Sequence, residues 1–157
     1  VLLPASLFEK ATEGTENRMF QLNKLVLVPE VTNYIRAQGA QRLGSDKIFY
    51  VAKCFRDETT TDATRLREFT QVGVEYLLDN ALDARKVVRK DAIRLLRRML
   101  PEGSWVLDDG VPRGLNLYSD PSKTFEVDAG GRQLLGGGPY EGGAGWALGL
   151  ERLEASL

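Results

Sequence analysis

The sequence predicts an α+β fold, a mainly antiparallel sheet flanked by helices, and three observations carry that expectation. Short apolar and polar alternations separated by turn residues recur along the chain, most clearly at 47–55 and 69–78, which marks strands joined as hairpins. Long helical periods are few, so strands and crossover helices do not alternate as a parallel sheet requires. No Gly-x-Gly-x-x-Gly or Walker-type lysine motif follows the first strand, which removes the usual mark of a doubly wound nucleotide-binding fold.

The chain opens in what reads as the end of a strand closed by Pro4. Ser6 caps a short helix at 7–12, with Glu9 in the capping-box position. Residues 19–28 form a hairpin turning at Leu22-Asn23-Lys24, with Val26 and Val28 on one face. Pro29 begins a helix over 30–38 that Gly39 ends. Residues 47–55 read as a central strand paired with 69–78, and the polar stretch 59–65 between them as a mobile loop. The longest helix, 80–100, repeats Val88, Ala92, Leu95, Leu96 and Met99 at helical spacing and is stopped by Pro101 and Gly103. Short strands are expected at 105–107 and 115–118, and a clearer one at 123–128. Half of the positions from 136 to 149 are glycine, a composition that suits either a flexible linker or backbone held close to a ligand or strand. Pro139, Tyr140 and Trp146, interleaved with those glycines, favour the second reading.

With 157 residues and 43% apolar content, the chain is sized for one domain, taken as 1–157, with a sizeable core. The formal net charge is −1, yet seven cations (Arg85, Lys86, Arg89, Lys90, Arg94, Arg97, Arg98) stand against Asp83 and Asp91 in the longest helix. That helix is basic on an acidic body, either as a solvated face or as a contact for a nucleic-acid backbone. Histidine is absent, so imidazole bases and His-ligated metals are excluded, and any catalysis runs on carboxylates, arginines, lysines and backbone dipoles. Cys54 is the single cysteine and alternates into an apolar strand, so no disulfide framework exists and a reducing, cytoplasmic setting is expected. No apolar run approaches about 20 residues, so no membrane-spanning helix is expected.

The most informative stretch is 55–75. A strand ends in Phe55-Arg56-Asp57-Glu58, and after a polar loop a second strand returns as Arg65-Leu-Arg-Glu-Phe69-Thr-Gln71-Val-Gly-Val-Glu75. A period of two puts Arg56 and Glu58 on one face of the first strand, and Phe69, Gln71, Gly73 and Glu75 on one face of the second. Val72, Val74 and Tyr76 point the other way, toward core. A cation, two carboxylates, an amide and an aromatic on one face are costly to bury without a ligand, although solvated Arg–Glu ladders on hairpins are common.

This stretch resembles the second signature of the class II aminoacyl-tRNA synthetases, and Gly145-Trp-Ala-Leu-Gly-Leu-Glu-Arg-Leu153 resembles their third. Between them, Val111-Pro-Arg-Gly-Leu-Asn-Leu-Tyr118, Thr124-Phe-Glu-Val127 and Gly136-Gly-Gly-Pro-Tyr-Glu-Gly142 are similar, in order and type, to stretches of histidyl-tRNA synthetases, as is Val28-Pro-Glu-Val-Thr32 upstream. The resemblance covers nearly the whole chain and implies a class II catalytic domain that activates an amino acid with ATP and Mg2+, followed by possible transfer to a tRNA acceptor stem. Without the family's dimer helix and anticodon-binding domain, a monomer or weak homodimer is implied.

Carried over residue by residue, the resemblance implies that Arg56 holds the α-phosphate, Glu58 the adenine side, Phe69 the base and Arg152 the γ-phosphate. Arg113 matches a fixed cation beside the α-phosphate. Glu30, Gln71 and Glu75 match groups that receive the substrate ammonium, Tyr118 and Tyr140 line the side-chain pocket, and Thr32 and Glu126 are further candidates, Glu126 for magnesium. The chain departs from the histidyl pattern at Val28, Asn116, Leu117 and Pro139, all on the amino-acid side. An alternative implied by the same fold is a histidine-sensing regulatory subunit of ATP phosphoribosyltransferase, which shares the Arg-Glu-Phe-Thr-Gln-x-Gly-Val-Glu strand but loses the ATP-binding arginines.

Overall fold

The computed structural model describes residues 2–9, 19–62, 65–78, 81–111, 117–118 and 120–157, without the side chains of 81–84 and 121. A three-stranded sheet pairs β1 (Leu2–Pro4), β3 (Leu25–Leu27) and β2 (Gln21–Leu22), in that order. A six-stranded sheet runs β4 (Lys47–Phe55), β5 (Glu68–Tyr76), β9 (Gly143–Gly149), β8 (Arg132–Tyr140), β7 (Phe125–Ala129) and β6 (Trp105–Asp109), antiparallel throughout. The α-helices whose bounds fall within the described residues are α1 (Thr32–Leu43), α2 (Ala81–Met99) and the short α3 (Leu150–Glu154). An antiparallel sheet with few helices is the α+β architecture read from the sequence.

The two faces of the large sheet bury different cores. On the first face, Val72 and Val74 of β5, Phe125 and Val127 of β7, Leu135 of β8 and Trp146 and Leu148 of β9 meet Val88, Ala92 and Leu96 of α2. Those three recur every four residues, so one stripe of α2 covers the sheet. On the second face, Ile48, Tyr50, Ala52 and Cys54 of β4, with Phe69, pack against Val26, Val28, Val31 and Ile35. The hairpin at 19–28 is present, turning through Asn23 at φ 55, and Val26 and Val28 are buried.

Several local expectations are corrected. β4 is an edge strand, not a central one: its alternate side chains Phe49 and Val51 are 69% and 58% exposed, so apolar alternation there reflects only one buried face. The strand also stops at Phe55, and Arg56 and Glu58 sit in the turn beyond it, where the Glu58 N–H bonds the Arg56 carbonyl at 2.9 Å. The helix after Pro29 starts at Thr32 and does not end at Gly39. That glycine takes φ 71 and ψ 162, a kink only glycine tolerates easily, and the helix resumes to Leu43 before Gly44 ends it in the left-handed region. Ser6 lies inside a 3-10 turn, Ala5–Leu7; residues 10–12 of the expected 7–12 helix lie outside the described residues. Residues 115–116 of the expected strand also lie outside, while Tyr118 makes a single bridge to Tyr140.

The glycine-rich segment is two full strands, β8 and β9, and α3 follows β9 directly.

Candidate active site

Strand register explains why a depression exists on the second face. Gly136 pairs with Ala147, Gly138 with Gly145 and Gln71 with Gly149, and residues directly opposite share a face. Side chains there are small or absent, while Leu135, Trp146 and Leu148 fill the other face. Gly136 and Gly149, with Ala147, are therefore the floor of a pocket, and the glycine-rich stretch is not a linker.

Around that floor the pocket is walled by Glu30 and Thr32, by Arg56 and Glu58, by Arg65, Leu66, Phe69 and Gln71, by Leu117 and Tyr118, by Gln133 and Leu134, and by Glu151 and Arg152. Of the residues singled out from sequence, Glu30, Thr32, Arg56, Glu58, Phe69, Gln71, Tyr118 and Arg152 thus meet in one place, from four separate parts of the chain. Arg113 lies outside the described residues.

Arg56 and Arg152 are held differently. Arg56 Nε donates to the Pro29 carbonyl at 3.4 Å, and its guanidinium lies 4.9 Å from the Phe69 ring centroid. Burial lowers its pKa, against which Cys54, Glu30 and Glu58 pull the other way. Arg152 donates to the Gln133 carbonyl at 2.7 Å from the first turn of α3. Burial lowers its pKa too, and the carboxylates of Glu126 and Glu58 oppose that. Arginine stays charged under such shifts. The base of the hairpin loop is joined by the Arg56 N–H to the Arg67 carbonyl at 2.9 Å and by Arg67 Nε to the Glu58 carbonyl at 3.0 Å; residues 63–64 of the loop expected at 59–65 lie outside the described residues.

Glu30 is buried beside α1 and accepts the Asn33 N–H with both oxygens at 3.2 Å. It stands one residue before the N-cap position, so it satisfies an orphan donor of the helix start. Desolvation raises its pKa, and Arg56 is among the influences lowering it.

Glu75 and Tyr140 depart from the expected lining: neither walls the pocket, because they are buried behind it and bonded to each other. Tyr140 donates to Glu75 Oε2 at 2.8 Å, and Thr32 Oγ1 donates to Glu75 Oε1 at 2.6 Å. A protein network, rather than a ligand, satisfies this carboxyl. Glu126 lies off the pocket wall but shares the second face with Gly136, its partner in register, on the side of Arg152. Among the described residues, no group of three metal-ligating side chains occurs.

Sequence reasoning missed Glu151, which accepts the Thr70 N–H with both oxygens at 2.8 and 2.9 Å and so fastens α3 to β5 beside Arg152. Its adjacency to Arg152 at a helix start was the available signal. Arg65, which opens the Arg-x-x-x-Phe stretch of the second signature, and Leu117, a departure from the histidyl pattern, also line the pocket, as do Gln133 and Leu134, which carried no chemical signature of their own in the sequence.

Three guanidiniums (Arg56, Arg65, Arg152), two aromatic rings (Phe69, Tyr118) and three carboxylates (Glu30, Glu58, Glu151) around one floor suit a ligand that combines anionic and planar parts. A family model described as tRNA synthetases class II (D, K and N) matches residues 37–116. A pyrrolysyl-tRNA synthetase structure from Desulfitobacterium hafniense, PylSc, superposes with a TM-score of 0.68 at 23% identity over 98% of this chain and 57% of that one. The apo histidyl-tRNA synthetase of S. aureus gives 0.65 at 20% identity over 100% of this chain and 58% of that one. The chain therefore spans somewhat under three fifths of the length of these structures, which share its fold. No curated protein matches it significantly. With the family model covering half of the chain, from α1 through the pocket hairpin to α2 and β6, this protein belongs to the class II tRNA synthetases.

Proposed function

We propose that the chain is a class II catalytic core that activates an amino acid with ATP, forming an aminoacyl adenylate and releasing pyrophosphate. The observation that carries the reading is the convergence of Arg56, Glu58 and Phe69 from one hairpin with Arg152 from the far end of the chain. In this reading the substrate carboxylate attacks the α-phosphorus, the bond to the bridging oxygen breaks, and pyrophosphate leaves. An ionised carboxylate needs no base, so a site without histidine is no handicap.

Both reactants are anionic, and the site must oppose charge building on the α-phosphate. Arg56 is the cation for that position and Arg152 the cation for the outer phosphates. Phe69 offers a ring for the base, with Glu58 at its amino edge. Arg113 is the further cation that the family resemblance adds. Glu126 is the carboxylate that would hold a magnesium ion, which would supply further positive charge against the phosphates.

At the amino-acid end, Glu30 and Gln71 are the groups for the ammonium, and Thr32 and Tyr118 complete the wall. Glu75 and Tyr140 act from behind by fixing Thr32. Histidine is the first substrate to test, and the acceptor stem of a tRNA is the candidate acceptor. A regulatory, histidine-sensing role fits less well, because Arg56 and Arg152 both remain in the pocket. ATP–pyrophosphate exchange across the twenty amino acids tests the reading: exchange with one amino acid supports it, and histidine binding without exchange supports the sensor.

A further inference from the structure

Six of the seven cations of α2 fall into two groups that the sequence alone does not separate. Arg89 grips Asp109 through Nε at 3.0 Å and through its terminal nitrogen at 2.7 Å, and Arg85 reaches the same carboxylate at 3.3 Å while bonding the Lys123 carbonyl. These two arginines fasten the helix to the outer strand β6. Lys86, Lys90, Arg94 and Arg97 are exposed and recur at intervals of four, four and three residues, so they form one stripe on the helix. The stripe runs about 16 Å, with about one cation per turn. Between residues 85 and 98 the only acid is Asp91, and Tyr76 donates to it at 2.6 Å. All four stripe cations, with Arg85, Arg89, Arg98 and Asp109, surround one shallow depression.

The stripe lies on the opposite side of the six-stranded sheet from the pocket, since α2 covers the Val72, Val74 and Trp146 face. A ligand seated on it does not occupy the pocket. We infer that this stripe is a second, non-catalytic docking surface for the phosphate backbone of an RNA duplex. A regular row of cations fits the regular row of charges on a nucleic-acid backbone better than the scattered acids of a protein surface. A membrane surface is disfavoured by burial: helices that lie on lipid insert an apolar face, and the apolar face of α2, with Val88, Ala92 and Leu96, is already committed to the sheet. The choice of RNA over DNA rests on the functional reading above; the stripe and its charge do not.

The test is fluorescence anisotropy of a labelled 24-base-pair RNA duplex against the full chain as salt is varied. Four neutralised phosphates give a log–log salt slope of about −3 to −4, so affinity falls about 100-fold between 50 and 200 mM salt. Lys90→Glu with Arg94→Glu should lower affinity at least tenfold at low salt. Lys86→Gln with Arg94→Gln, a milder change, should lower it less and flatten the slope, and both variants should keep the wild-type melting temperature and ATP–pyrophosphate exchange. Absence of duplex binding at 50 mM salt, unchanged affinity in both variants, or binding to phosphatidylserine vesicles without RNA binding would each overturn the inference. Duplex binding in a protein that shows no exchange would sink the pocket reading and leave this surface standing.

Discussion

Tyr140 and Glu75, 65 residues apart, are completely buried and share a 2.8 Å hydrogen bond behind the floor of the pocket. Burial raises the Glu75 carboxyl from an ordinary 4.5 to about 8, although Thr32 and Tyr140 pull it down, and the nearby Glu30 adds to the rise. A carboxyl whose pKa is raised on folding makes the folded state bind more protons than the unfolded one. Its stabilising effect is therefore full below pH 4.5 and is lost as pH rises toward 8. Chemical denaturation should show stability falling across that window by something on the order of 3–5 kcal/mol. Glu75→Gln, which imitates the protonated acid, should reduce that slope. An identical pH profile in wild type and variant would refute the assignment.

Glu75 also dictates the residue across from it. A β-carbon built on Gly145 would lie 1.7 Å from Glu75 Oε2, inside any tolerable contact. Gly145→Ala should therefore cost at least about 2 kcal/mol, by forcing the buried carboxyl off its partners. In the double variant Gly145→Ala, Glu75→Ala, relief of the clash should make the combined loss smaller than the sum of the single losses. Strict additivity by thermal unfolding would argue against the contact.

Thr70 and Glu151 form the other tie, both carboxylate oxygens accepting one backbone N–H from β5. Glu151→Ala should cost about 1–2 kcal/mol and weaken ATP more than amino acid, because Arg152 is the next residue. Glu151→Gln, which retains an acceptor oxygen, should keep most of both. Equal KM changes for the two substrates would show that the tie does not position Arg152.

Phe49 and Val51 stand exposed on the outer strand β4, an open edge of the kind that invites self-association. Sedimentation velocity should find a monomer, or a dimer that dissociates at micromolar concentration, and Phe49→Thr with Val51→Thr should reduce association while leaving pyrophosphate exchange unchanged. A tight dimer would contradict this expectation.

The legible part of the protein was what period and paired chemistry encode. Alternation placed Phe69, Gln71 and Glu75 on one face and Val72, Val74 and Tyr76 on the other, and the structure keeps that division. Register was not legible. Only pairing Gly136 with Ala147 and Gln71 with Gly149 shows the glycines as a floor, and that depends on contacts between distant strands. For the same reason Glu75 looked like a ligand group: its sequence gives its face, while Tyr140 and Thr32, which satisfy it, arrive from 65 residues downstream and 43 upstream. β4 looked central because Phe49 and Val51 are apolar on its uncovered face. The α2 cations could be counted but not sorted, since Asp109 reaches Arg85 and Arg89 only once β6 is in place.

Amino-acid-dependent exchange of labelled pyrophosphate into ATP, measured with wild type and Arg56→Ala side by side, tests the central claim. Arg56 stands over Phe69 at the pocket wall, outside both hydrophobic cores, so the variant should fold. Exchange with one amino acid is expected in the wild type, with a loss of about 10²- to 10³-fold in the variant, the worth of one charge-assisted transition-state contact. Undiminished exchange in folded Arg56→Ala, or no exchange with any amino acid in the wild type, would contradict that claim.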